Sequence, residues 1–452
     1  MINSYQQAKE YLDSFINYEK ISFYPYKASL KQDRMRLLIQ CLGIDISKLK
    51  AIHIAGTKGK GSTAHFFAWV LAASGFNVGL YTSPHLIDFR ERIQIVSSLK
   101  SVVNSLISKN DVVKIVKELK PLVDKIELPR ELGRFSFFEM YTALAFKYFI
   151  DKKVDFVVLE TGLGGRLDAT NIIMPLLSVI TCIDYDHQDK LGKDLASIAA
   201  EKCGIIKDKI EVVTSLQKNQ ALAVIKDYSL RKRADLSIYG RDFRVKNIRI
   251  NRAYSLFDFE SGSHVIKNLK ISLKGRYQAE NASLAVAGLL LLKQKGALKA
   301  QLNFKKGLEE CYLEKRFEVV SQDPLVVIDI AHNKASFKAL KTNIEQYFPG
   351  KKTILIFACS KDKDAKGMLN IIDYSKLILT TFSNPRCQDP KIIKDICADH
   401  GALIAKDIYS AFETALGFYS REHIIVVSGS VFLAAEAEKA QRLYKNAASL
   451  AC

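Results

Sequence analysis

The segment Gly56-Thr57-Lys58-Gly59-Lys60-Gly61-Ser62-Thr63 follows directly on the apolar run Ala51-Ile52-His53-Ile54-Ala55. A short strand that ends in glycines, lysines and hydroxyls builds a phosphate cradle. The glycines let backbone N–H groups turn toward anionic oxygens, a lysine adds a mobile cation, and a hydroxyl can take Mg²⁺. Thr63 to Ser74 is apolar and helix-compatible. A helix there would point the partial positive charge of its N-terminus at the same place. The segment departs from the plain P-loop pattern: Ile54 stands where that pattern has its first glycine, and Gly61 where it has Ser or Thr. Phosphate binding is the expectation. On the loop alone, a glycine-rich strand-to-helix turn with solvent-facing lysines is the alternative.

At 452 residues the chain is too long for one core, so two or more domains are expected. The N-terminus carries early charges and no apolar core of a signal peptide. The longest apolar run, Ala282 to Leu292, is too short to span a bilayer. The eight cysteines are scattered singly without a Cys-x-x-Cys pair, which suggests reduced thiols rather than a disulfide scaffold or zinc site. A cytoplasmic protein without a membrane partner is therefore expected. The net charge of +19 raises the question of nucleic acid. Its lysines and arginines are mixed with acids along the whole chain, with no basic tract and no aromatic-interleaved RNA signature. The expectation is no nucleic-acid partner, and a solvated surface biased toward anionic substrates.

Along the chain, residues 1–50 read as helical with a polar loop near Tyr24 to Lys27. Strands and helices then alternate: strands at 51–55, 78–81, 154–160, 178–184 and 211–214, with helices around 111–124 and 137–150 and one through Ile198. That alternation predicts a mostly parallel sheet covered by helices. Residues 236–274 read as a small antiparallel annex, followed by helices at about 280–293 and 299–312. A second alternating unit begins near Arg316, with strands at 325–329, 353–357, 377–381, 403–405 and 424–428. The fold class is α/β, with domains over 1–312 and 313–452 and a linker near 310–315.

Several strand exits carry polar residues. The strand from Val154 runs into Glu160 and then Gly162, Gly164 and Gly165. This places a carboxylate at the carboxyl edge of the sheet, where open α/β sheets bind ligands, so Glu160 is a candidate Mg²⁺ ligand. A capping or surface acid is the alternative. His187 exits another strand, and Ser83 a third. Either could be a ligand, although Mg²⁺ prefers oxygen donors, and a histidine at a strand exit is often an ordinary polar residue. Lys202, after a helix, reads by itself as solvated or salt-bridged. In the second half Asp329 to Asn333, Asp362 to Asp364 and Ser428 to Ser430 close three strands. They imply one shared cleft, expected to face the first domain.

Together these segments resemble the folylpolyglutamate synthase/dihydrofolate synthase family, the folate branch of the Mur-type ATP-dependent ligases. The resemblance covers nearly the whole chain. It rests on 56–62, Thr-Ser-Pro-His-Leu (82–86), Glu91-Arg92-Ile93, Phe137-Phe138-Glu139 and Leu-Glu-Thr-Gly-Leu-Gly-Gly-Arg-Leu-Asp-Ala-Thr-Asn (159–171). It rests further on Asp186-His187, Glu-Lys-Cys-Gly-Ile-Ile-Lys (201–207), Gln278 with Asn281, Arg316-Phe317-Glu318, Asp-Ile-Ala-His-Asn (329–333), Asp-Lys-Asp (362–364) and Gly429-Ser430. The Gly61 that breaks the plain P-loop is the family's own form, and the run 159–171 is the most specific segment.

The resemblance implies an N-terminal P-loop ATPase domain, like the central domain of Mur ligases, and a Rossmann-like C-terminal glutamate-ligase domain. It implies that ATP phosphorylates a folate carboxylate and that the amine of L-glutamate displaces the phosphate. Gly56, Thr57, Lys58, Gly59, Lys60, Gly61, Ser62 and Thr63 then bind ATP, with Gln278, Asn281, Arg316 and Asp329 around the nucleotide. Ser83, Glu160 and His187 match Mg²⁺ ligands, and Lys202 matches a lysine that relatives carbamylate. His332 and Ser430 match positions near the nucleotide and the incoming glutamate. Lys60, Lys202, His187 and His332 are the catalytic candidates. The two domains are expected to close over the acyl phosphate, and a monomer is implied.

Three neighbours depart from the family pattern: Cys203 for alanine, Ile330 for glycine and Lys334 for proline. The leading expectation is a bifunctional enzyme acting on dihydropteroate and reduced folates. The alternatives are a ligase for one step, a peptidoglycan-precursor ligase, and a non-catalytic nucleotide switch or basic nucleic-acid-binding protein.

Overall fold

The structure, a computed structural model, describes residues 2–21, 24–85, 87–98, 101–251, 254–262, 264–313, 316–399 and 401–450. Leu86, the last residue of the Thr-Ser-Pro-His-Leu segment, and residues 314 and 315 of the expected linker lie outside the described residues. The chain forms two compact units. One comprises Met1–Tyr18 and Phe23–Tyr312, the other Glu19–Ser22 and Leu313–Cys452.

In the first unit eight strands form one sheet among the described residues: β1 (Ala51–Ala55), β2 (Val78–Tyr81), β3 (Ile93–Ser98), β4 (Val102–Leu106), β5 (Phe156–Glu160), β6 (Leu177–Ile180), β7 (Glu211–Thr214) and β8 (Leu236–Ile238). Their order is β4-β3-β2-β5-β1-β6-β7-β8. All neighbours pair in parallel except β2 with β3 and β3 with β4. The five residues of β1 are all buried, as expected of a central parallel strand covered on both faces. Register then places the site. Ile54 pairs with Glu160, Tyr81 with Leu159 and Ala55 with Ile180. The exits of β2, β5, β1 and β6 therefore stand side by side at one sheet edge.

Helix Lys60–Ala73 is buried from Ser62 through Ala72, so it is a core element rather than an amphipathic cover. The annex is a three-stranded antiparallel sheet of β9 (Arg244–Ile250), β10 (Ser255–Ser261) and β11 (His264–Ile271), with Phe257 and Phe259 buried. The second unit holds β12 (Glu318–Gln322), β13 (Leu325–Ile328), β14 (Lys352–Phe357), β15 (Lys376–Leu379), β16 (Leu403–Ile404) and β17 (His423–Ser428). Their order is β12-β13-β17-β14-β15-β16, parallel except for β12. Val326, Ile328, Ile354, Ile356, Ile425 and Val427 form its apolar centre.

The α/β class, the large parallel-dominated sheet, the antiparallel annex and the separate C-terminal α/β unit agree with the sequence reading, except that Leu236–Ile238, expected in the annex, pairs in parallel with β7 at the edge of the large sheet. Details differ. Strands β3, β4 and β12 were not expected; each lies in a polar, Ser- or Gln-containing stretch at a sheet margin. Tyr26 lies in a helical turn, Tyr26–Ser29, and is buried rather than in a polar loop. The strand expected over 178–184 ends at Ile180, because the carbonyl of Cys182 turns to accept from Thr57 N and Lys58 N (2.9 and 3.1 Å). Lys202 lies within the last turn of helix Leu195–Cys203 rather than after it; Asp194 caps the start of that helix through Ser197 N (2.7 Å). Asp364 does not close β14; it caps the helix Ala365–Leu369. Among the described residues no helix is long and apolar enough to cross a membrane.

Candidate active site

The loop between β1 and helix Lys60–Ala73 is held tightly on both sides. A Cβ on Gly56 would lie 1.8 Å from Thr181 Oγ1, and a Cβ on Gly59 2.4 Å from Asn281 Oδ1. Gly59 caps the helix in the left-handed region, at φ +83°. The first intrahelical bond is Thr63 N to Gly59 O (2.9 Å). The N–H groups of Lys60, Gly61 and Ser62 precede it and have no intrahelical acceptor, the feature that makes a helix start an anion site. Thr63 Oγ1 is buried without a hydrogen-bond partner. The loop offers donors at the end of a rigid, buried helix.

Glu160 stands beside it. Its Oε1 lies 3.9 Å from Lys60 Nζ, and its Oε2 accepts from Ser83 N (3.1 Å). Glu160 is 4% exposed, which excludes the reading as a surface acid. A cation and a carboxylate are thus both present at the phosphate loop, and the Ser83 hydroxyl and Glu160 oxygens are the hard donors that Mg²⁺ takes alongside waters. Among the described residues no group of three or more His, Cys, Asp or Glu side chains forms a metal cluster.

Lys202 is 5% exposed and donates from Nζ to the carbonyl oxygen of Gly56 (2.8 Å). It is therefore neither solvated nor salt-bridged. Burial, reinforced by the charge of Lys60, pulls its pKa down to about 7. Its helix end is fixed by the loop after β5. A Cβ on Gly165 would lie 2.7 Å from Lys202 O, and one on Gly204 2.3 Å from Arg166 Cα. Arg166 donates to Glu201 Oε1 (2.7 Å from Nη2, 3.1 Å from Nε), and Tyr26 donates its hydroxyl to Glu201 Oε2 (3.2 Å). The same loop winds around Asp168, which accepts from the N–H groups of Gly162, Leu163 and Thr170 and from Thr170 Oγ1. Thr170 Oγ1 lies 2.8 Å from His53 Nε2 in the middle of β1. These contacts give the run 159–171 a structural purpose.

The remaining residues of the first unit divide. Gln278 and Asn281 are buried on helix Arg276–Gln294 and bonded to each other (3.2 Å), with Asn281 against Gly59. His187 caps the short helix Gln188–Leu191 at φ +49° and is half-buried. Lys58 is turned to Asp184, with Nζ 2.7 Å from Oδ2. Asp184, Asp168 and Tyr26 were not singled out from sequence as site-forming residues. An acid four residues beyond a buried strand was the available signal for Asp184.

In the second unit Asp329 leaves β13 and accepts from Phe317 N and Ala331 N (2.8 Å each). Burial pushes its pKa up, against the opposing charge of Arg316. Arg316 Nε is buried without a hydrogen-bond partner. His332 Nδ1 lies 2.9 Å from Ile330 O, a pure acceptor, so that nitrogen carries the proton. Ser430 follows β17, is 3% exposed and accepts from Phe432 N (3.1 Å). Gly429 N donates to Ala331 O (2.9 Å), joining the exits of β13 and β17. Asp362 is engaged by Arg386 Nη2 (2.6 Å). Asp329, His332 and Ser430 thus gather at two adjacent strand exits, with the charge of Arg316, just before β12, acting on Asp329.

A parallel sheet with a glycine-rich phosphate loop, joined to a second α/β unit, defines the Mur-type ligase class. Residues 54–289 match the Mur ligase middle domain and residues 315–431 the Mur ligase, glutamate ligase domain. The chain is 33% identical over 425 residues to the dihydrofolate synthase/folylpolyglutamate synthase of Bacillus subtilis (strain 168), covering 90% of this chain and 94% of that protein. It is 32% identical over 405 residues to the folylpolyglutamate synthase of Lacticaseibacillus casei, covering 89% and 92%. The crystallised Mycobacterium tuberculosis folylpolyglutamate synthase complexed with ADP superposes at a TM-score of 0.85 and 28% identity, covering 97% of this chain and 98% of that one. The chain belongs to the folylpolyglutamate synthase/dihydrofolate synthase family of Mur ligases.

Proposed function

We propose that this chain is an ATP-dependent ligase that adds L-glutamate to dihydropteroate and to reduced folates, releasing ADP and phosphate. The observation that carries the reading is the grouping of Lys60, Glu160 and Ser83 at the exits of β1, β5 and β2, against the amides of the phosphate loop. An oxygen of the substrate carboxylate attacks the γ-phosphorus of ATP, the bond to the bridging oxygen breaks, and ADP leaves. The amine of glutamate then attacks the acyl-phosphate carbonyl. The C–N bond forms, phosphate departs and the nitrogen loses its proton.

Phosphoryl transfer demands positioning and charge neutralisation above all. Lys60 and the loop amides hold the β- and γ-phosphates. Ser83, Glu160 and His187 are the residues that would hold Mg²⁺, which when bound neutralises charge developing on the phosphate oxygens. Lys202 is the residue that would carry a carbamate, because carbamylation consumes a neutral amine and burial makes that form available near pH 7. Gln278, Asn281, Arg316 and Asp329 surround the nucleotide in this reading, and the unpartnered Arg316 Nε suits an anionic or ribose oxygen. His332 and Ser430 serve the incoming glutamate.

The Lacticaseibacillus casei relative, named for folylpolyglutamate synthesis alone, supports a second reading as a ligase for one step. The test is incubation with ATP, Mg²⁺ and glutamate plus either 7,8-dihydropteroate or tetrahydrofolate, with the amide product followed by mass. Product from both acceptors is expected, and product from one alone would select the second reading. ATP bound but unspent with either acceptor would overturn both.

A further inference from the structure

Lys58 lies in the phosphate loop, two residues before Lys60, and a loop lysine is ordinarily read as a phosphate ligand. Its ammonium is instead engaged by Asp184 Oδ2 at 2.7 Å, while Lys218 Nζ takes the other carboxylate oxygen at 2.9 Å. Two further bonds tie the same two loops. Thr57 Oγ1 donates to the Asp184 carbonyl (3.0 Å) and accepts from Asp184 N (3.1 Å). The N–H groups of Thr57 and Lys58 both reach the Cys182 carbonyl. The phosphate loop is thus stitched along 57–58 to the exit of β6, three residues before His187. The lysine and acid are about four-fifths shielded from solvent, with 26% and 18% of their side chains exposed, so the pair is worth more than a surface ion pair. Burial pushes the Asp184 carboxyl up, and the bonds from Lys58 and Lys218 outweigh it, holding it at about 2. The carboxylate is therefore charged throughout the working range.

We propose that Asp184 is a positioning residue for the phosphate loop, acting through Lys58, and that Lys58 is a tether to the β6 exit rather than a phosphate ligand. The proposal rests on the nucleotide-binding reading above and assigns the nucleotide's phosphate contacts to Lys60 and the loop amides. Tether and ligand make opposite statements about the acid. If Lys58 grips phosphate, Asp184 competes for it, and removing the acid strengthens nucleotide binding. If Lys58 is a tether, removing either partner loosens the same loop, and removing both does no further harm.

The test is ADP affinity by isothermal titration with Mg²⁺ in the full-length protein, for Asp184→Asn, Lys58→Met and the double variant, with Lys218→Met as control. A tether predicts that each single variant weakens ADP about fivefold and that the double variant equals the singles, the signature of a coupled pair. Asp184→Glu should restore most of the affinity, and Lys218→Met should stay within about twofold, as an exposed partner does. Tighter ADP binding in Asp184→Asn, or additive losses in the double variant, would overturn the proposal. If Asp184→Asn does not fold, Lys58→Met decides alone: a loss of about a hundredfold marks a lost charge-assisted phosphate contact and sinks the tether. Failure of the wild-type protein to bind ADP would overturn the nucleotide reading itself, a result distinct from all of these.

Discussion

The side-chain ammonium of Lys202 lies 2.8 Å from the carbonyl oxygen of Gly56, so the end of one helix and the first residue of the phosphate loop share a hydrogen bond. Lys202 is thereby fixed beneath the loop, with Lys60 as a neighbouring like charge.

The first prediction concerns its protonation. The folded pKa of about 7 lies below the ordinary 10.5. The unfolded chain therefore binds more protons between about 7 and 10.5, and the cost of burying this group, complete below pH 7, fades as pH rises through that window. The neutral amine grows through pH 7 as well, so turnover should climb between pH 6 and 8 and should drop in buffer stripped of carbon dioxide. Lys202→Arg, which stays charged, should lose about a hundredfold or more in kcat. Turnover indifferent to carbon dioxide and to this substitution would rule out a carbamate.

Gly59 tolerates no side chain. Gly59→Ala places a Cβ 2.4 Å from Asn281 Oδ1 at a φ of +83°, where an L-residue costs about 1 kcal/mol even in open space. The amides that follow should be displaced, with ADP affinity reduced at least about tenfold. Titration calorimetry checks this, and unchanged affinity would show that the loop does not carry the phosphates.

Glu160→Gln keeps the acceptor for Ser83 N but removes the charge facing Lys60. The Mg²⁺ concentration for half-maximal rate should rise roughly tenfold, since a neutral amide is a poorer ligand for a hard cation. An unaltered Mg²⁺ titration would place the metal elsewhere.

Stability of the first unit depends on a buried pair. Arg34 Nε sits 2.8 Å from Glu139 Oε1, and its other nitrogens reach the carbonyls of Leu132 and Ser29. Arg34→Met leaves the Glu139 carboxylate buried and should cost about 3–5 kcal/mol. Trp69, the sole tryptophan of the sequence, is buried in this unit and reports its unfolding in urea. A midpoint close to wild type would show that the pair contributes little.

His53 makes the first unit acid-sensitive. Burial holds its pKa down at about 3 from 6.5, so the unfolded chain binds the extra proton between those values and stability falls as pH drops through that window. His53→Gln can keep the donor to Thr170. It should lower stability at pH 7 and flatten the slope between pH 6.5 and 4, read by the same fluorescence. An equally steep slope would assign the acid sensitivity to another group.

The sequence made the centre of each sheet legible, because buried parallel strands are near-continuous apolar runs and Glu160 and Asp329 directly follow or end such runs. The margins were less legible: β3, β4 and β12 mix Ser, Asn and Gln into short segments whose pairing is set by a neighbour. The site was legible where function packs many constrained residues into one stretch, as in 56–63 and 159–171. It was illegible where a residue's role lies in a distant partner. Lys58 and Asp184 are 126 residues apart, Arg34 and Glu139 105. Nothing local distinguishes a lysine turned to phosphate from one turned to an acid. Lys202, read alone as a solvated lysine, is buried because Gly165 and Gly204 let two backbones meet.

The central claim is that ATP is spent on an acyl phosphate. It is tested most directly by labelling the acceptor carboxylate with ¹⁸O and analysing the phosphate released during glutamate addition. One labelled oxygen per phosphate is expected, since the carboxylate oxygen that attacks phosphorus leaves with it. Amide product accompanied by unlabelled phosphate would contradict the account.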